Sequence, residues 1–326
     1  MNRRSFLAIA AFGALMASLS TPAVTQAQTW PQRNVRFIVP LGPGSGVDIT
    51  ARLIADRLSA KWGKPVVVEN KPGGDAIVAI SAFTGANDDH TLLMAPTSTF
   101  TAHPFLHEKL PYEARDLVPI ARVSNTVIAI GVPAAAGINS VGDLIARAKA
   151  EPGKLNSAAA TGANDFVVTG YLKQSDTDIT RVPYRDSVQA VNDLAEDRIQ
   201  LYVAAFAIMR PQVQAGKVKL IAVTNSERAP MLPDVPTAKE TGHAGLTIDG
   251  LVGLFGPRDM AKDLRDRVAA DVMAAASDPE IAAKIASTGQ IVRPGGAEEF
   301  AKEIEEQSKV VAESAAAAGV KRLLQN

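Results

Sequence analysis

Val35-Arg36-Phe37-Ile38-Val39 runs into Pro40-Leu41-Gly42-Pro43-Gly44-Ser45-Gly46 and then Val47-Asp48-Ile49, and this stretch decides the fold. The first five residues alternate and are β-rich, so they read as a strand. The Gly/Pro run is a loop. Asp48 is placed to cap a helix reaching Trp62, with Ile49, Leu53, Ile54 and Leu58 on one face. The pattern then repeats. Val66-Val67-Val68 is a short strand ended by Asn70-Lys71-Pro72-Gly73-Gly74, residues 77–83 suit a helix, and residues 91–95 form a third strand leading into Pro96-Thr97-Ser98-Thr99. Strand, helix, strand, helix, strand is the rhythm of a parallel sheet with crossover helices.

Further on, residues 120–132 form one long β-rich stretch, expected to cross between two domains. Ser140 caps a helix over 141–150, and residues 155–164 read as a small-residue loop before a helix over 165–173. Strands are expected over 179–183, 199–204 and 218–223, with a helix over 188–195. Residues 251–255 read as the return crossing, and the chain after Pro257 reads as helical to its end. The fold class is therefore α/β, with two lobes around a central cleft: 29–127 and 252–326 in lobe 1, 128–251 in lobe 2. Ligands in such sheets sit beyond the C-terminal ends of the strands. The loops at 40–48, 95–99 and 159–165 meet that description.

Composition narrows the chemistry. The 326 residues carry 34 basic and 34 acidic side chains, a balance that argues against a nucleic-acid binder. There is no Cys, so disulfides, thiolate metal sites and a cysteine nucleophile are excluded. Ser45 lies in Gly44-Ser45-Gly46, without the spacing of a nucleophile elbow. The glycine loop also lacks the Lys of a P-loop and the full dinucleotide pattern. It is either a tight turn or an anion cradle made of backbone N–H groups. Asp48 is either a ligand contact or only a helix cap. His103 and His107 stand four apart, a spacing for a metal pair on a helix, but no third ligand is evident and a solvated segment is expected. Arg185 and Arg210 are candidates for a ligand carboxylate or for surface ion pairs. No cofactor is expected.

The N-terminus reads as an export signal. Asn2-Arg3-Arg4 is basic, residues 6–19 are apolar and uncharged, and Thr25-Gln26-Ala27 suits cleavage near Ala27. Arg3-Arg4-Ser5-Phe6-Leu7 also looks like a twin-arginine signal. The apolar run falls short of the about 20 residues a bilayer span needs. With residues 1–28 removed, 298 residues remain with 32 basic and 34 acidic side chains. A soluble periplasmic protein is expected.

Residues 35–58 resemble the opening of the Bug-type receptors, the extracytoplasmic solute-binding proteins of tripartite tricarboxylate transporters. Residues 66–74 (VVVENKPGG), 91–98 (TLLMAPTS), 182–194 (VPYRDSVQAVNDL), 216–223 (GKVKLIAV) and 232–242 (LPDVPTAKETG) continue the likeness in order. It implies a type II periplasmic-binding-protein fold whose lobes hinge over a small organic acid: a carboxylate, an acidic amino acid or an aromatic acid. The ligand-binding residues it implies are Gly44, Ser45, Gly46 and Asp48, then Thr97 and Ser98, then Thr161, Gly162 and Asn164, with Tyr184 and Asp193 bordering the cleft. It further implies a monomer, no enzymatic activity and a membrane permease as partner. This chain departs from the family at Ser45, Val47, Asp75, Ala163-Asn164-Asp165 and Arg185-Asp186. The extra acid Asp165 is placed to repel a second ligand carboxylate or to pair with a ligand amine. Two other readings stay open: a receptor serving a membrane sensor, and an exported hydrolase or transferase, for which no nucleophile–base pair is evident.

Overall fold

β1 (Val35–Val39) leads through the glycine loop into α1 (Gly46–Trp62). The cap of α1 is Ser45, whose hydroxyl accepts from the Asp48 N–H at 3.2 Å, so the expectation that Asp48 caps this helix is corrected. Gly63, in the left-handed region at φ 65°, closes the helix by donating to the Ser59 carbonyl. β2 (Val66–Asn70), α2 (Ile77–Ala86), β3 (Thr91–Pro96) and α3 (Thr97–Leu106) continue the alternation, followed by β4 (Val118–Thr126). The computed structural model describes residues 30–324 apart from 159, 161 and 185. The signal peptide expected over 1–28 lies outside the described residues. The chain divides into two compact units at Gln32, and everything below concerns the second, Arg33–Asn326.

The long β-rich stretch is two strands in two different sheets. β4 ends at Thr126, Val127 stands alone, and β5 (Ile128–Pro133) begins the second lobe. That lobe adds α4 (Val141–Ala150), β6 (Leu155–Ala158), α5 (Ala163–Gln174), β7 (Ile179–Val182), α6 (Ser187–Ala195), β8 (Tyr202–Ala205), α7 (Phe206–Gln214) and β9 (Val218–Val223). The chain returns through β10 (Gly250–Gly256) and ends in α8 (Lys262–Ser277), α9 (Pro279–Ser287), β11 (Gln290–Gly295) and α10 (Ala297–Ala318).

Six strands in the order β11-β4-β10-β3-β1-β2 form the first sheet. β1 runs parallel to β2 and β3, whereas β10 and β11 pair antiparallel to their neighbours. The second lobe holds the antiparallel trio β8-β5-β9 and the parallel pair β6-β7. A parallel bridge from Ser157 to Leu201 ties that pair to the start of β8. Ile38, Phe83, Leu93, Phe255 and Phe300 fill the first core, and Val191, Leu194, Tyr202, Met209 and Val223 lie in the core on one side of the second.

α10 spans the lobes. Its Phe300 packs in the first core, while Val311 and Ala315 join Phe166 and Val167 of α5. The two helices touch backbone to backbone, since a Cβ on Gly170 would lie within 2.4 Å of the Ser314 carbonyl oxygen. Among the described residues no helix is long and apolar enough to cross a membrane.

Four elements differ from the sequence expectations. α3 stands where a loop was expected, β6 lies inside the small-residue segment, and α7 and β11 were not anticipated at all. α3 opens Thr-Ser-Thr and contains Pro104, a poor helix sequence that tertiary packing overrides. β11 is a short strand between two helices, and its start is signalled only by Gly289 at φ 83°.

Candidate functional site

Because β1 and β3 are parallel neighbours, the loops leaving their C-terminal ends share one edge of the first sheet. The loop after β1 is braced from beneath. Asp48 is buried, and its Oδ2 accepts from the Gly44 N–H at 2.8 Å. Its Oδ1 accepts from Arg52 Nε at 3.0 Å and from Asn70 Nδ2 at 2.8 Å. Asn70 also donates to the Leu41 carbonyl and accepts from Arg52. Burial alone lifts the Asp48 carboxyl, but the bonds from Arg52, Asn70 and Gly44 overcome it and hold the group below its ordinary value. Asp48 therefore shapes the loop through the Gly44 amide. Gly46 lies against Gln290 and Thr288, where a Cβ would meet Gln290 Nε2 at 2.8 Å.

Thr97 points inward. Its hydroxyl donates to Gln307 Oε1 at 2.6 Å, and Gln307 in turn donates to the Asp249 carbonyl. Ser98 and Thr99 are half-buried, and their side chains make no hydrogen bond among the described residues. The N-cap of α3 is Pro96, so no side chain caps the first turn of the helix. Among the described residues no side chain bonds the amides of that turn, the kind of helix end that can receive an acceptor.

From the second lobe, Gly162 meets this turn. It caps α5 at φ 57° and ψ −137°, without a side-chain bond, and a Cβ there would lie 2.9 Å from the Ser98 carbonyl oxygen. Ala163 behind it is buried and Asn164 half-buried, its amide unbonded among the described residues. Thr161 lies outside the described residues. Asp165 turns away to Arg181, which donates from Nε at 3.0 Å and from Nη2 at 2.6 Å. Burial raises the Asp165 carboxyl against the pull of Arg181.

The structure thus brings Ser98 and Gly162 into contact, and sheet order puts Gly44, Ser45 and Gly46 on the same edge as Thr97. Tyr184 and Asp193 are bonded to each other. The Tyr184 hydroxyl donates to Asp193 Oδ2 at 2.8 Å, and Arg198 takes the other oxygen at 2.7 Å. Burial and the adjacent Asp193 push the tyrosine up to about 12. Arg210 donates to the Ser287 carbonyl and lies over the Phe206 ring, with no ion pair among the described residues. Arg185 lies outside the described residues. His103 is buried in α3, bonded through Nδ1 to the Tyr112 hydroxyl and through Nε2 to the Asp75 carbonyl, so the solvated segment expected there is corrected. No three His, Asp or Glu among the described residues are grouped to hold a metal.

Sequence reasoning missed Asn70, Gln290, Gln307 and Asn225, the last of which bonds the Thr126 carbonyl and the Ile128 N–H at the crossing between lobes. Each is a side-chain amide acting far along the chain. Only Asn70, in the Asn-Lys-Pro-Gly-Gly turn, carried a local signal. Two hollows flank this region, the first bordering the 159–165 loop and the second lying away from the loops. One of about 150 Å³ is lined by Ser157, Ala160, Asp165 and Arg181, and a groove of about 970 Å³ runs between α3, residues 108–119 and α10.

Two α/β lobes joined by crossing strands are the architecture of the two-lobed periplasmic solute-binding proteins of type II. The sequence profile of the tripartite tricarboxylate transporter family receptors matches residues 50–317, and the chain belongs to that family. A UPF0065 protein of Bordetella bronchiseptica is 30% identical over 295 residues, 90% of this chain and 88% of that one. An R. palustris protein solved with adipate superposes with a TM-score of 0.78 at 26% identity, covering 90% of this chain and 99% of its own. MatC from Rhodopseudomonas palustris with bound malate gives 0.71 at 25% identity, covering 86% and 100%.

Proposed function

We propose that the protein captures a small organic carboxylate between its lobes and presents it to the membrane permease of a tripartite tricarboxylate transporter. The observation that carries this is the seating of Gly162 on the Ser98 carbonyl, which gathers the uncapped N-termini of α3 and α5 from opposite lobes. Helix N-termini attract anions through unpaired N–H groups and the helix dipole. Relatives solved with adipate and malate support a dicarboxylate. The ligand set in this reading is Gly44, Ser45, Gly46, Thr97, Ser98, Thr161, Gly162 and Asn164, with Asp48 holding the first loop in shape and Tyr184 and Asp193 at the border.

The lobes meet at Val127 and at the return into β10, and they hinge there. Ligand shifts them toward closure by its tighter binding to the closed form. Export on the signal at residues 1–28, with cleavage near Ala27, places the receptor in the periplasm. A thermal-shift screen over organic acids tests the reading. A true ligand at 100 times its Kd stabilises the protein by about 2.7 kcal/mol and is recovered chemically unchanged. No stabilisation by any acid, or turnover of one, refutes it.

A further inference from the structure

Two acids belong to the ligand loops themselves, and each is paired with an arginine of its own lobe. Asp48 is held by Arg52 and Asp165 by Arg181. The second pair is the informative one. Asp165 is the third residue of α5, and its backbone N–H bonds to the Gly162 carbonyl at 3.2 Å, so it stands in the turn that meets the first lobe. An acid in a first helical turn ordinarily faces the free amides there and competes with an incoming anion for them. Here Arg181, on β7 beside Ser157 of β6, grips both carboxylate oxygens from the flank of the lobe. Such a two-point pair fixes direction as well as charge. Lys173 borders the same small hollow but donates to the Ala318 carbonyl, which leaves Arg181 as the partner of Asp165.

We propose that Arg181 determines ligand class by keeping Asp165 turned aside and neutralised, so that the site takes carboxylic acids without an amino group and discriminates against α-amino acids. This rests on the receptor reading above. With Asp165 engaged by Arg181, and Asp193 at the border engaged by Tyr184 and Arg198, the second lobe offers donors to a carboxylate and only paired acids to a ligand ammonium. With Arg181 lost, the same carboxylate repels an anion and accepts from an amine. Specificity here is a difference between two affinities set by one neutralised charge.

The test uses matched probes: succinate with aspartate, glutarate with glutamate, adipate with 2-aminoadipate. Calorimetric titration of the wild type is expected to show the diacid of the binding pair favoured by about tenfold, the size of a helix-terminus charge interaction in a partly buried site. Arg181→Gln loses about tenfold for that diacid and narrows or reverses the preference, and Asp165→Asn with Arg181→Gln restores it. Asp165→Asn alone, which leaves Arg181 uncompensated, tightens the diacid and reads the same charge with opposite sign should Arg181→Gln not fold. Equal affinities within every pair, an Arg181→Gln protein of unchanged melting temperature and unchanged preference, or weaker diacid binding in Asp165→Asn overturns the inference alone. Failure of the wild type to bind any of these six acids overturns this inference, while the receptor reading falls only if the broad acid screen also finds no ligand.

Discussion

Gly162 faces the Ser98 carbonyl oxygen so closely that a Cβ would lie 2.9 Å from it, and its φ of 57° with ψ of −137° suits glycine alone. One residue thus serves a backbone conformation and a contact between lobes. Gly162→Ala is expected to cost about 1–3 kcal/mol in conformational strain and to push the α5 terminus away from α3. Urea unfolding gives the first quantity and titration with the binding acid the second. Lost affinity is expected to exceed what instability explains. A variant with unchanged affinity would separate this contact from ligand capture.

Asp48 predicts a different balance. Its removal strands the Gly44 amide, the Asn70 amide and the Arg52 guanidinium. Breaking such a pair by removing one partner costs about 3–5 kcal/mol when the survivor stays buried; Arg52 is half-exposed, so Asp48→Ala should fall at or below that range. The sign with pH follows from the lowered carboxyl. Its contribution is complete above the ordinary value of 3.8 and disappears as pH falls through the still lower value in the folded protein. Urea titrations between neutral pH and pH 3 should show an acid-side loss that Asp48→Asn reduces.

His103 sets a second pH response, near neutrality. Burial pushes its pKa below the ordinary 6.5, with the neighbouring His107 acting the same way against the Asp75 carbonyl. The unfolded chain therefore takes up a proton first. Stability is complete above pH 6.5 and declines as pH falls toward the folded-state value. His103→Gln should abolish that slope. It should also cost about 1–3 kcal/mol for each buried polar partner, the Tyr112 hydroxyl and the Asp75 carbonyl, left unpaired. Chemical denaturation at pH 8 and pH 5.5 checks both.

What was legible in the sequence follows from how locally each feature is determined. β1 and α4 were readable because alternation or a Ser cap lies within a few residues. Residues 120–132 were readable as a β-rich crossing, and they hold two strands that belong to two different sheets. α3 was not readable, because its stability comes from Ala102 and His103 packing against distant partners rather than from Thr97-Ser98-Thr99. The three candidate loops were read from their place after strands and before helices, and only those at 40–48 and 159–165 contain glycine. Their internal bonds were not legible: Asp48 does not cap α1 but bonds Gly44 and Asn70, and Thr97, whose hydroxyl could as well have faced solvent, bonds Gln307. Those directions depend on residues 22 and 210 positions away.

Gly170 lies under Ser314 where α5 crosses α10, and a Cβ added there would stand 2.4 Å from the Ser314 carbonyl oxygen. Backbone cannot yield as a side-chain tip can. Gly170→Ala should therefore separate the helices at a cost of about 1–3 kcal/mol. Because α10 spans the lobes, the expected companion effect is a change in the scattering profile of the unliganded protein. A wild-type profile and wild-type stability together would show that the helices part freely.

Asn225 fastens the crossing between lobes. Its Nδ2 donates to the Thr126 carbonyl at 3.0 Å and its Oδ1 accepts from the Ile128 N–H at 3.0 Å, so one buried amide holds the chain on both sides of Val127. Asn225→Asp keeps the shape and the Ile128 bond but sets a carboxylate oxygen against the Thr126 carbonyl. Two acceptors that close repel when the acid is ionised, and protonation restores a donor. Burial raises the pKa of the introduced acid, so the defect should be largest at pH 8 and shrink as pH falls. The expected readouts are a lower melting temperature and a shifted open–closed balance in scattering, both recovering on acidification. Recovery separates a hinge fastened by this amide from one merely filled by it, because a filling role depends on volume and Asp has the volume of Asn.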